Sequence, residues 1–145
     1  MDAEKTREHM TKTLMERGFR ITPQRAEIIR ILCHDTTHPT SGTILRKARQ
    51  RMPNISFSTV YYTLALLKKE QLIRELEFYD MDNRYDSELT DHIDLICTKC
   101  GTIANFEGDL LSLARELVEG TTGFETHLMR FEYRGLCEGC KGKRD

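Results

Sequence analysis

The stretch "SFSTVYYTLALLKKEQLIRELEFYD", residues 56–80, changes its hydrophobic period partway along. From Ser56 to Lys69 the apolar residues Val60, Leu64 and Leu67 recur at i, i+4 and i+7, the spacing of one helix face. After Gln71, apolar and charged residues alternate as in a strand with one buried side. "MDN" (81–83) reads as a turn, and "RYD" (84–86) begins a returning strand. A helix capped by Ser56 therefore runs into a β-hairpin.

Upstream, residues 4–17 read as a polar opening helix ended by Gly18. In "RITPQRAEIIRILCHD" Thr22 can cap a helix, and Pro23 suits its first turn, where no N–H is needed. Ile28, Ile29, Ile31 and Leu32 give that helix its apolar stripe. In "HPTSGTILRKARQRMP", Thr40 or Ser41 caps a third helix, Ile44, Leu45 and Ala48 face inward, and Pro53 lies beyond the end. Helices of this size followed by a hairpin predict a winged helix-turn-helix over residues 1–86. On its last helix Ser58, Thr59 and Tyr62 fall outward, with Tyr61 flanking. Small hydroxyls and aromatic rings suit base edges and thymine methyls in a major groove. Arg25 on the second helix joins them as a candidate DNA contact. Arg46, Lys47, Arg49, Arg51, Lys68 and Lys69 could pair with phosphates. The bland alternative makes the tyrosines packing residues and the charges a solvated face.

Charge divides along the same line. Residues 1–70 hold 13 basic and 7 acidic side chains, a net of +6, and residues 71–145 hold 9 and 16, a net of −7. Such asymmetry suggests a basic half for nucleic acid. No apolar run approaches the roughly 20 residues of a membrane span. The opening "MDAEKTREHM" is too polar for a secretory signal, so a reducing cytoplasm is the expected compartment.

The second half has another organisation. "SELTD" (87–91) reads as a linker to a domain over 92–145. "HIDLIC" and "GTIANFE" are short strands around a "CTKC" turn. "GDLLSLARELVEG" is an amphipathic helix with Leu110, Leu113, Leu117 and Val118, closed by Gly120. "FETHLMRFEYRGL" alternates as a third strand running into "CEGC". The pairs Cys97/Cys100 and Cys137/Cys140 suit a tetrahedral Zn²⁺, which takes two thiolates from each CxxC turn. The 36 residues between the pairs exceed usual zinc-ribbon spacing, but a strand-helix-strand return would close the gap. A redox CxxC pair, or unrelated buried cysteines, would not account for two such pairs. Four thiolates leave no open coordination position, and no HExxH or GxSxG motif occurs, which argues against an enzyme. Cys33 reads as a small core residue.

"ITPQR", "HPT", "STVYYTL", "RYD", "HIDLICTKCG" and "CEGC", in that order and at these distances, resemble the ferric-uptake-regulator family of metal-dependent repressors. The similarity is greatest to its peroxide-responsive branch. The resemblance implies an N-terminal winged helix on double-stranded operator DNA and a C-terminal α/β domain that forms a homodimer. It implies structural zinc on Cys97, Cys100, Cys137 and Cys140. It also implies a regulatory Fe²⁺ or Mn²⁺ site, here His38, Asp86, His92, Asp94 and Asn105. Asp94 stands where a third histidine is usual, and Asn105 where an acid is usual. The set is therefore oxygen-rich, which suits Fe²⁺ or Mn²⁺ over softer ions. A plain iron-, manganese- or zinc-responsive repressor and a zinc-stapled interaction module are the alternative readings.

Overall fold

The computed structural model describes residues 2–106 and 108–143. The chain forms two compact units divided between Leu89 and Thr90.

The first unit is built of four helices and a hairpin. Helix α1 (Ala3–Glu16) is capped by Asp2, α2 (Pro23–His34) by Thr22, α3 (Ser41–Arg49) by Thr40 and α4 (Phe57–Lys69) by Ser56. Each cap side chain accepts a backbone N–H of the first turn, satisfying a donor the helix cannot. Thr40, not Ser41, is the cap of α3. Met10, Leu14, Ile28, Ile29, Leu32, Ile44, Val60, Leu64 and Leu67 form one core between the helices. Ile28, Ile29, Ile31 and Leu32 are all buried, because α2 packs on α1, α3 and α4 and has little free surface. Cys33 lies in this core against the Met10 sulfur, and burial pushes its thiol up to about 11.

The hairpin strands β1 (Arg74–Leu76) and β2 (Arg84–Asp86) pair antiparallel. They are shorter than the alternation of 72–80 predicts. Phe78 N–H donates to the Asn83 side chain, which turns the chain before more rungs can form. The hairpin sits on a polar cluster in which Glu75 accepts from Lys68, Asn83 and Tyr85.

In the second unit β3 (His92–Cys97) is the central strand, antiparallel to β4 (Ile103–Asn105) and parallel to β5 (Arg130–Gly135). A parallel neighbour requires a crossover, and α5 (Leu110–Thr122) supplies it. Glu107, included above in the second strand, lies outside the described residues.

Two expectations need correction here. Gly120 does not close α5, which runs to Thr122 and ends at Gly123 with φ 69°, a left-handed cap that glycine adopts without strain. The third strand begins at Arg130, not Phe124. Side chains hold the segment before it: Thr126 N–H donates to Glu119, Arg115 donates to the Thr126 carbonyl, and Met129 N–H donates to Asp91. The Thr126 N–H and carbonyl and the Met129 N–H are thereby taken and cannot join the ladder.

Candidate metal centres and nucleic-acid interface

The Cys97–Cys100 turn follows β3, and the Cys137–Cys140 turn follows β5, the strand beside it. The parallel pairing places both turns at the same sheet end. All four Sγ atoms lie within 4.8 Å of one another. Cys100 Sγ and Cys137 Sγ are 3.8 Å apart. Ligands at 2.3 Å on the corners of a tetrahedron would stand about 3.8 Å from one another, so the donors fit Zn²⁺. The electrostatics agree. Backbone N–H groups of Cys100 and Cys137 point at the Cys97 sulfur and hold its thiol down to about 6. The Thr102 hydroxyl, 3.1 Å from Cys100 Sγ, lowers that thiol as well. Cys140, facing Cys137, is pushed up to about 12. Four sulfurs this close cannot all ionise without a cation among them.

The other candidate ligands come from both units. His38 sits in the first unit with φ 56°, a conformation uncommon outside glycine but more accessible to histidine than to most residues. The Arg84 guanidinium donates to the carbonyls of His38 and, at 2.7 Å, of Thr37. Tyr85 N–H donates to the Pro39 carbonyl, and Thr40 bridges to Arg84. The "HPT" segment is thus bound to β2, and His38 Nε2 comes to 3.8 Å from Asp86 Oδ1 with both side chains buried. The second unit places His92 and Asp94 two apart on β3, hence on one face. His92 Nδ1 is 2.7 Å from the Thr90 carbonyl, and this contact fixes the tautomer that carries the proton on Nδ1. Its Nε2 lies 3.3 Å from Asp94 Oδ2. A ring whose Nδ1 is held by a backbone carbonyl has the posture of a metal-ligating histidine. Asn105 is the cross-strand partner of Asp94, so its exposed amide shares that face.

Arg84 and the Thr90 carbonyl were missed from sequence. The signal for Arg84 was present in "RYD", since period 2 puts Arg84 on the face of Asp86. No pattern marks a backbone carbonyl.

On α4, Val60, Leu64 and Leu67 are buried, while Ser58, Tyr61 and Tyr62 are exposed. Thr59 departs from the expected outward set. It is half-buried, and its hydroxyl lies 3.0 Å from the capping Ser56 hydroxyl. Arg25, half-buried at the start of α2, donates to the Arg20 carbonyl at 2.7 Å. Of the basic residues, Lys47 pairs with Asp35, Arg51 with Glu27 and Lys68 with Glu75, and Arg49 donates to the Ile55 carbonyl. Arg46 and Lys69 are exposed. On α5 the expected apolar face does form, but among the described residues none of the helix is buried, and Leu113 and Leu117 are 63% and 67% exposed.

Fold and site together define a winged-helix protein carrying a four-thiolate zinc centre. The chain belongs to the Ferric uptake regulator family, whose sequence pattern matches residues 16–134. It is 36% identical over 134 residues to the peroxide operon regulator of Bacillus subtilis, covering 92% of each chain. It is 35% identical over 136 residues to the peroxide-responsive repressor PerR of Staphylococcus aureus, covering 94% of this chain and 92% of that one. Among solved structures, the Helicobacter pylori ferric uptake regulator Fur, described with three functional metal-binding sites, superposes with a TM-score of 0.76 at 26% identity, covering 100% of this chain and 97% of that one. PerR from Streptococcus pyogenes superposes at 0.55 with 30% identity, covering 97% and 95%. Among the described residues, no helix is long and apolar enough to cross a membrane.

Proposed function

We propose that this protein is a metal-dependent transcriptional repressor that binds operator DNA as a homodimer and releases it in response to peroxide. The observation that carries the reading is that each unit contributes an imidazole beside a carboxylate: His38 with Asp86 at 3.8 Å, and His92 with Asp94 at 3.3 Å. Neither pair alone fills a coordination sphere. Together, with a carbonyl oxygen from Asn105, they would make a nitrogen–oxygen set suited to Fe²⁺ or Mn²⁺. Bound metal would stabilise the DNA-binding form, and losing either imidazole would remove that differential stabilisation. Zinc on Cys97, Cys100, Cys137 and Cys140 is structural in this reading, and the protein turns over no substrate. The DNA face is α4 with Ser58, Tyr61 and Tyr62, supported by Thr59 and Arg25. The compartment is the cytoplasm, where thiols stay reduced.

Bound Fe²⁺ supplies one-electron chemistry towards hydrogen peroxide, which Mn²⁺ does not match. In this reading His38 and His92 would take up the oxygen. Fe²⁺-loaded protein given stoichiometric peroxide should gain one oxygen on the peptide carrying His38 or His92, and lose DNA binding. The Mn²⁺-loaded protein should do neither. Loss of DNA binding without that mass gain would favour the second reading, a repressor responsive to the metal alone. Asp94 and Asn105 support that second reading, because they make the ligand set harder than three histidines and two acids would.

A further inference from the structure

The DNA-facing helix has an unusual side-chain inventory. From Phe57 to Leu67, α4 carries no guanidinium, ammonium, amide or carboxylate side chain. The bidentate pairs that arginine makes with guanine, or asparagine and glutamine with adenine, cannot come from this stretch. What it presents outward is a set of rings. Phe57, Tyr61 and Tyr62 are 51%, 55% and 69% exposed. Phe57 and Tyr61, one turn apart, are stacked at 6.4 Å between centroids with planes 27° apart. Tyr62 meets Tyr61 edge-on at 5.8 Å with planes 71° apart. Both arrangements lie in the range that aromatic quadrupoles favour. The Tyr61 ring is thus bracketed by two neighbours.

From this bracket we propose that Phe57 is a positioning residue for DNA reading: it holds the Tyr61 ring in the orientation that meets a base edge. The inference rests on the reading of α4 as the DNA face. Where no bidentate hydrogen bonds set the geometry, discrimination between bases depends on where the rings stand. An exposed tyrosine otherwise samples several rotamers, and ordering it on binding costs affinity. Burial is not a sufficient reason for Phe57, since half its surface faces solvent at the first position of the helix, where the fold needs only the Ser56 cap.

The test uses the full-length, zinc-bound protein loaded with Mn²⁺ and a duplex selected from a random-sequence library by the wild type under the same conditions. Phe57→Ala should weaken binding to that duplex about 3- to 10-fold while leaving binding to a scrambled duplex and the thermal midpoint unchanged. Phe57→Tyr, which keeps the stacked ring, should restore it. In a Tyr61→Ala background the further Phe57→Ala change should have no effect, because the ring to be positioned is gone. Wild-type affinity in Phe57→Ala would overturn the proposal. Losses that multiply in the double variant would also overturn it, since Phe57 would then act independently of Tyr61. If the wild type enriches no sequence from the library, the DNA reading itself falls and the proposal with it.

Discussion

Glu27 shows how one side chain can be structural and take up a basic residue, Arg51, expected to face phosphate. It is buried on α2 and makes two hydrogen bonds with the Arg30 guanidinium, at 2.9 and 2.7 Å, with Arg51 at 3.6 Å. The Arg30 hydrogen bond holds the Glu27 carboxyl below the usual carboxylate range. A depressed folded-state pKa means that ionised Glu27 favours the folded protein. That stability is complete above the unfolded-state pKa and is lost as pH falls through the lower folded-state value. Glu27→Gln should therefore cost about 1–3 kcal/mol at neutral pH, because Arg30 loses its charged partner. The gap between the variant and the wild type, measured by urea unfolding across pH, should narrow below about pH 4. A gap independent of pH would place the stabilisation in packing instead.

At the scale of the element, α5 is the helix whose sequence and surroundings disagree. Leu110, Leu113, Leu117 and Val118 share helical spacing, yet they lie open to solvent. An apolar helix face left exposed in a single chain marks an interaction surface. In a protein that binds as a homodimer, a second copy of the chain is the natural cover. The double variant Leu113→Glu, Leu117→Glu should keep its zinc and helix content but sediment as a monomer at micromolar concentration. A variant that remained dimeric would move the dimer contact elsewhere on the second unit.

For the whole molecule, stability is unevenly provided. The first unit has a continuous core contributed by all four of its helices. The second buries few large side chains, chiefly Ile93 and Ile96. A unit with so small a core needs a further tie, and four thiolates at one sheet end can supply it through zinc. Cys137→Ser should release zinc and unfold or dissociate the second unit, while the first keeps a cooperative transition. Metal analysis beside circular dichroism and sedimentation would show this. A Cys137→Ser protein that retained both zinc and its dimer would contradict the four-thiolate assignment.

The sequence by itself determined what depends on near neighbours along the chain. The caps at Thr22 and Ser56, the buried stripe of α4 and the two CxxC turns follow from spacing over a few residues, because the interactions that enforce them span one turn. Gly120 was misread as a helix end for the same reason. Glycine can sit inside a helix as well as end it, and only the left-handed turn at Gly123 decided which one closed α5. Other features had no local signature. Lys47, Arg51 and Lys68 were taken by carboxylates, and His38 was brought beside Asp86 by the Arg84 clamp. Each of these depends on which distant segment, or which competing partner, folding brings within hydrogen-bond reach. That is settled by tertiary packing, and residue spacing does not encode it.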